Sequence, residues 1–116
     1  NVVLMGAGFI GCIILEALAL RNVNLTVIEM GDRMVPRMMD QTAGNLIKDW
    51  CQKKGVNVHT STKVEAIEKG GLLNKGLKVR LSNGETLKAD LLISATGVAA
   101  NTQFLEGSGL EAGSLQ

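Results

Sequence analysis

Cysteine, histidine and proline are scarce in this chain: of 116 residues, two are cysteine, one is histidine and one is proline. Cys12 and Cys51 stand 39 positions apart, with no C-x-x-C spacing and with His59 as the sole imidazole. That pattern excludes an obvious zinc site and a dithiol redox motif. No metal is therefore expected, and the two thiols read as small packed hydrophobes in a reducing, cytoplasmic setting. An excess of one charge is also missing. Twelve Lys and Arg face eleven Asp and Glu, a net charge of +1 spread along the chain, so there is no electrostatic footprint for nucleic acid or an anionic membrane surface. The longest apolar stretch, within Phe9 to Leu20, is interrupted by Glu16 and is too short to span a bilayer. Ser61, Ser82 and Ser94 lack a strand-turn-helix elbow, and His59 has no serine and acid arranged about it, so hydrolase chemistry has no support. There are no internal repeats. What is present, 46% hydrophobic and 20% charged residues, is the balance of one soluble globular domain.

Apolar periodicity organises that domain. Val2 to Met5 and Leu25 to Ile28 are short continuous apolar runs, the signature of strands buried on both faces of a parallel sheet. Between them, Phe9 to about Arg21 predicts a helix that is apolar nearly all round, to be covered by the sheet on one side and by another domain on the other. Strand, helix and strand in under 30 residues make a βαβ unit with a right-handed crossover. Met30 to Met39 reads as a loop, and its methionines, with Met5, as packing and loop contacts. Asp40 is placed to cap a second helix, in which Ala43, Leu46, Ile47, Trp50 and Cys51 form one stripe facing the sheet. Gly55 supplies its left-handed end, and Val56 and Val58 begin a third strand.

The period then changes. Val64 to Ile67, Leu77 to Leu81 and Thr86 to Ala89 alternate and are joined by glycines, as antiparallel strands with one wet face do. A two-residue turn at Asn83-Gly84 sets Leu87 opposite Arg80. A three-residue loop over Ser82 to Gly84, with Gly84 left-handed, instead pairs Leu87 with Val79 and Ala89 with Leu77. The longer loop is expected. Asp90 to Ala95 should return to the centre of the parallel sheet and deliver Ala95-Thr96-Gly97 at its carboxyl end.

The pattern G-x-G-x-x-G at Gly6, Gly8 and Gly11 carries little weight alone, but here it lies between a buried strand and a helix inside a βαβ unit. Gly6 permits the tight turn, Gly8 lets a pyrophosphate approach the backbone, and Gly11 allows the helix to pack closely on the strand. The N–H groups at the helix start favour the phosphate charge. Glu29 ends the second strand about 20 residues further on, where a carboxylate accepts from adenosine ribose hydroxyls and repels a 2′-phosphate, which favours NAD over NADP. The expected dinucleotide contacts are Gly6, Ala7, Gly8, Phe9, Ile10, Gly11, Glu29, Met30 and Arg33. For Arg33 two readings stay open: a guanidinium leaning over the adenine or toward a phosphate, and a solvated loop arginine.

Taken together, VVLMGAGFIG, LTVIEMGDRMVP, DQTAGNLIKDWCQKKGVNV, LSNGETLKADLLIS and ATGVAANT resemble, in order and over essentially the entire chain, the NAD-binding domain of the pyridine nucleotide-disulfide oxidoreductases. The resemblance implies a Rossmann-like three-layer α/β fold, with a parallel sheet, its βαβ dinucleotide unit and an antiparallel three-stranded meander. It implies an NADH held by Gly6, Gly8, Gly11 and Glu29, and FAD on a neighbouring domain of the same parent chain, with a homodimer open to that parent. Gly97 then lies at the junction with the flavin domain, near the nicotinamide. Ile13 stands where the family often has Glu, and Ala99-Ala100 where it often has Arg-Pro. Both ends look cut, so residues 1–106 are expected to be the NAD-binding domain of a larger flavoenzyme and residues 107–116 a flexible tail or junction. No catalytic residue is expected within the chain itself. The competing class is a non-enzymatic NAD-sensing regulatory domain, which should continue with alternating helices and strands rather than a hairpin.

Overall fold

The computed structural model describes residues 1–73 and 75–110 of the chain. Strand β1 (Val2–Met5) leads through the glycine turn into helix α1 (Phe9–Ala19), and β2 (Leu25–Ile28) follows. A loop joins β2 to α2 (Gln41–Lys53), and β3 (Asn57–His59) completes the parallel run. Next come β4 (Val64–Lys69), β5 (Leu77–Leu81), β6 (Thr86–Ala89) and β7 (Leu91–Ser94). A single 3₁₀ turn at Gln103–Leu105 lies where no element was expected. Helix α1 stops two residues short of Arg21, since Asn22 turns the chain with φ of 55°.

Strands β3, β2, β1 and β7 form a parallel sheet in that order, and β4, β5 and β6 form a separate antiparallel sheet. Alternation along each parallel strand sorts the core into two halves. Val2, Leu4, Leu25, Val27 and Val58 point to the side where Leu15 of α1 and Cys51 of α2 lie. Val3 and Ile28 point to the opposite side, where Val79, Leu81 and Ala89 of the meander meet them. The layers are therefore helices, parallel sheet and meander, as the three-layer reading requires. The hairpin pairs Val79 with Leu87 and Leu77 with Ala89, with Gly84 at φ 89°. This is the register of the three-residue loop, which keeps the apolar side chains on the covered face.

Two expectations need correction. Strand β7 pairs only with β1 and forms an edge of the described sheet rather than its centre. The strands that precede it are bonded into their own sheet and offer it no second neighbour. In α2, the residues turned inward are Gly44 and Cys51, flanked by the partly buried Ala43 and Ile47, while Leu46 and Trp50 face solvent. The β2–α2 loop causes this, because it lies across the helix at Gly44, where a Cβ would come within 2.8 Å of both Arg33 Cβ and the Met34 carbonyl. Burial along the helix follows that contact as well as the sheet. The cap itself is as expected: the Asp40 carboxylate accepts from the Ala43 N–H at 2.8 Å, and Gly55 takes φ of 83°.

Candidate functional site

The carboxyl ends of β1, β2 and β7 meet at one end of the parallel sheet, the place where open α/β sheets bind their ligands. The glycine turn sits there, and its three glycines do different work. Gly6 has φ of 97°, and a Cβ on it would overlap the carbonyl of Ala95 at the end of β7. A Cβ on Gly11 would overlap the Gly6 carbonyl. Both are therefore required by the fold itself. Gly8 differs, for a Cβ there would meet nothing within 4 Å. It caps α1 in an extended conformation with no side-chain hydrogen bond.

The N–H groups of Gly8, Phe9, Ile10 and Gly11 have no acceptor among the described residues. They stand at the positive end of an 11-residue helix, beside the open space in front of Gly8. Open donors, a helix dipole and room for an approaching group together suit an anion such as a diphosphate. The side chains of Phe9 and Ile10 are exposed, and with Ile13 and Leu20 they make the outward face of α1 apolar.

Ala7 belongs to the support of this turn. Its side chain is fully buried, its N–H donates to Glu29 Oε2 at 2.6 Å, and its carbonyl accepts from the Val35 N–H at 2.8 Å. Val35 reaches that position with φ of 48°, a costly conformation for a β-branched residue, held by its burial in the core. The donors of Gly6, to the Ile28 carbonyl at 2.8 Å, and of Ala7 are thus already committed.

Glu29 is 8% exposed and bridges the turn to the following loop, with Oε1 accepting from the Gly31 N–H at 2.9 Å. Its own N–H donates to the His59 carbonyl, and its carbonyl accepts from the Thr62 N–H, so its backbone is fixed on β3 and the segment after it. A carboxylate has about four acceptor positions. Two are taken here, which leaves capacity for a ligand's hydroxyl groups.

Met30 is exposed beside this acid. Arg33 is tied into its own loop. Its Nε donates to the Met39 carbonyl at 2.7 Å, Nη1 to Asp32 Oδ1 at 2.7 Å and Nη2 to the Pro36 carbonyl at 3.0 Å, so the guanidinium ties together its own loop. Gly97 is exposed with φ of 129°, two residues beyond the Ala95 that packs over Gly6. Gly31, Val35, Pro36 and Gly44 escaped the sequence reading. Only Gly31 and Pro36, as loop punctuation just after the acid, carried any signal.

The thiols carry no chemistry. Burial, and then the Glu29 carboxylate, raise the Cys12 thiol, and burial with neighbouring Cys12 pushes Cys51 up to about 11 against a lowering backbone hydrogen bond. Both remain protonated at neutral pH and are poor nucleophiles. Among the described residues no cluster of His, Cys, Asp or Glu is arranged to hold a metal, and no helix is long and apolar enough to cross a membrane.

Residues 1–116 match the family model for pyridine nucleotide-disulphide oxidoreductases. The chain belongs to that family. Among the members it resembles is the epsilon subunit of the NADH-dependent phenylglyoxylate dehydrogenase of Aromatoleum evansii, 34% identical over 94% of this chain and 25% of the relative. The structure of an NAD-dependent persulfide reductase from A. fulgidus superposes with a TM-score of 0.83 at 39% identity, covering 95% of this chain and 20% of that one. An FAD-dependent pyridine nucleotide-disulphide oxidoreductase from Desulfovibrio vulgaris gives 0.80 at 34% identity, over 95% and 27%. The chain thus spans about a quarter of the length of these family members.

Proposed function

We propose that this chain is the NADH-binding domain of an FAD-dependent oxidoreductase, in which it positions the nicotinamide for hydride transfer to the flavin and onward to a disulfide or another electron carrier. The observation that carries the reading is the glycine turn: unpartnered N–H groups at the start of α1 beside the open space at Gly8, with the Glu29 carboxylate at the neighbouring strand end. In this reading the backbone of Gly8, Phe9, Ile10 and Gly11 holds the pyrophosphate. Gly6 and Ala7 shape the turn, and the free lone pairs of Glu29 accept from the adenosine ribose hydroxyls. Met30 lies beside the adenosine, and Arg33 contributes by holding its loop in place. NADH supplies a hydride and FAD accepts it, so the protein's share is binding, orientation and electrostatics.

Residues 1–106 form the NAD-binding unit, with 107–116 as a tail or junction to the flavin domain. The described part of that tail, residues 107–110, has left-handed Gly107 and Gly109, and residues 111–116 lie outside the described residues. The apolar outer face of α1 and the exposed Gly97 fit a surface that meets the flavin-binding portion of the parent. Protonated, unpaired cysteines suit a cytoplasmic protein.

Calorimetric titration with NADH and NADPH tests the reading. The protein should prefer NADH, and Glu29→Gln should weaken NADH binding by about 1.5–3 kcal/mol, the worth of a hydrogen bond to a charged group. Equal affinity of the unaltered protein for the two nucleotides would overturn the assignment of Glu29 to the ribose.

A further inference from the structure

Glu29 needs more than its own identity to act as a ribose acceptor, because a glutamate side chain has three rotatable bonds and can swing away from its target. Gly31 is placed to restrict it. Its φ lies outside the left-handed region, so its backbone does not demand glycine. Space does. A Cβ on Gly31 would lie 3.0 Å from Pro36 Cγ, 3.2 Å from Pro36 Cβ and 3.2 Å from Glu29 Oε1.

Of these neighbours, the carboxylate, at the end of a flexible side chain, yields more readily than the ring. Pro36 is a rigid ring whose carbonyl accepts from Arg33 Nη2 at 3.0 Å, and the preceding Val35 N–H is bonded to the Ala7 carbonyl at 2.8 Å. The backbone of Gly31 is held on both sides: its N–H donates to Glu29 Oε1 at 2.9 Å, and its carbonyl accepts from the Ser61 N–H at 2.8 Å. An added methyl would therefore push Oε1 aside, turning the carboxylate and lengthening its bonds to both Gly31 and Ala7.

We propose that Gly31, backed by the Pro36 ring, is a positioning residue that sets the orientation of the Glu29 carboxylate and through it the discrimination between a ribose with a free 2′-hydroxyl and one with a 2′-phosphate. The inference rests on the reading of Glu29 as the ribose acceptor. The Gly31 N–H fixes one carboxylate oxygen, and the absence of a side chain between that oxygen and the Pro36 ring lets the carboxylate keep this orientation.

The test titrates four forms of the protein with NADH and with NADPH: unaltered, Gly31→Ala, Pro36→Ala and the double variant. Gly31→Ala should lose at least about tenfold in NADH affinity, the equivalent of one charge-assisted hydrogen bond. NADPH affinity should change far less, so the preference ratio collapses. Removing the Pro36 ring makes room for the methyl, so the double variant should recover the ratio, a rescue that a general structural defect would not give. An unaltered protein that discriminates and a Gly31→Ala form that discriminates equally well would overturn this proposal while leaving Glu29 in place. An unaltered protein with no preference would instead sink the Glu29 reading itself. If Gly31→Ala does not fold, the double variant decides: a preserved ratio supports the Pro36 wall, and a collapsed one overturns it.

Discussion

Substituting each of the three glycines by alanine should separate the one that serves the ligand from the two that serve the fold. Gly8→Ala places a methyl in open space, on a backbone that alanine adopts without strain (φ −76°, ψ −167°). As a helix cap, alanine is worse than glycine by about 0.5–1 kcal/mol, and the stiffer unfolded chain returns about 0.4–1 kcal/mol. The net change is within about 0.5 kcal/mol, or about 2 °C in Tm for a chain of this size. Gly6→Ala and Gly11→Ala instead drive a methyl into a backbone carbonyl, and Gly6 adds a left-handed cost of about 1–2 kcal/mol. Each should lower the ligand-free Tm by more than about 4 °C. With NADH at 100 times its dissociation constant, the unaltered protein gains about 2.7 kcal/mol, or roughly 11 °C. A methyl overlapping the pyrophosphate costs about 1–3 kcal/mol. At the upper end of that range, the rise in Gly8→Ala shrinks to about 1 °C. Differential scanning fluorimetry with and without NADH reads both quantities. The reasoning is refuted if Gly8→Ala melts as low as Gly11→Ala without ligand, or if its NADH-induced rise is undiminished.

Further expectations concern residues away from the turn. Arg33→Ala removes three loop hydrogen bonds and should destabilise the protein by about 1–3 kcal/mol in urea unfolding, and an unchanged midpoint would show that the loop needs no such tie. Cys51, shifted from 9.0 to about 11 in the fold, favours the folded state fully below pH 9. That contribution, roughly 3 kcal/mol at most, is lost as pH rises toward 11 because the unfolded thiol ionises first, so unfolding midpoints should fall across this window and fall less in Cys51→Ala. In the FAD-containing protein, Gly97→Leu should slow flavin reduction by saturating NADH in stopped-flow measurements more than it weakens NADH binding. An unchanged rate would remove Gly97 from the nicotinamide side.

Sequence alone determined the elements whose cause is local. The bounds of β1 and β2, the cap at Asp40, the left-handed Gly55 and Gly84, and the pairing of Val79 with Leu87 all follow from periodicity and turn chemistry within a few residues. The glycine turn and Glu29 were legible for the same reason, since their spacing encodes a strand, a turn and a helix. Tertiary structure decided whatever depends on a neighbour distant in the chain. The edge position of β7 follows from the meander bonding to itself, which no residue of β7 can announce. The exposure of Leu46 and Trp50 follows from a loop laid across Gly44, so the helix's own apolar period misjudged its buried face. Arg33 looked available because an arginine in a loop has five donors, and only the folded loop brings the Met39 and Pro36 carbonyls within reach of them. Likewise, Glu29 engages Ala7 as well as the nearby Gly31 because β1 and β2 are hydrogen-bonded side by side, which brings a turn 22 residues away in the chain to its carboxylate.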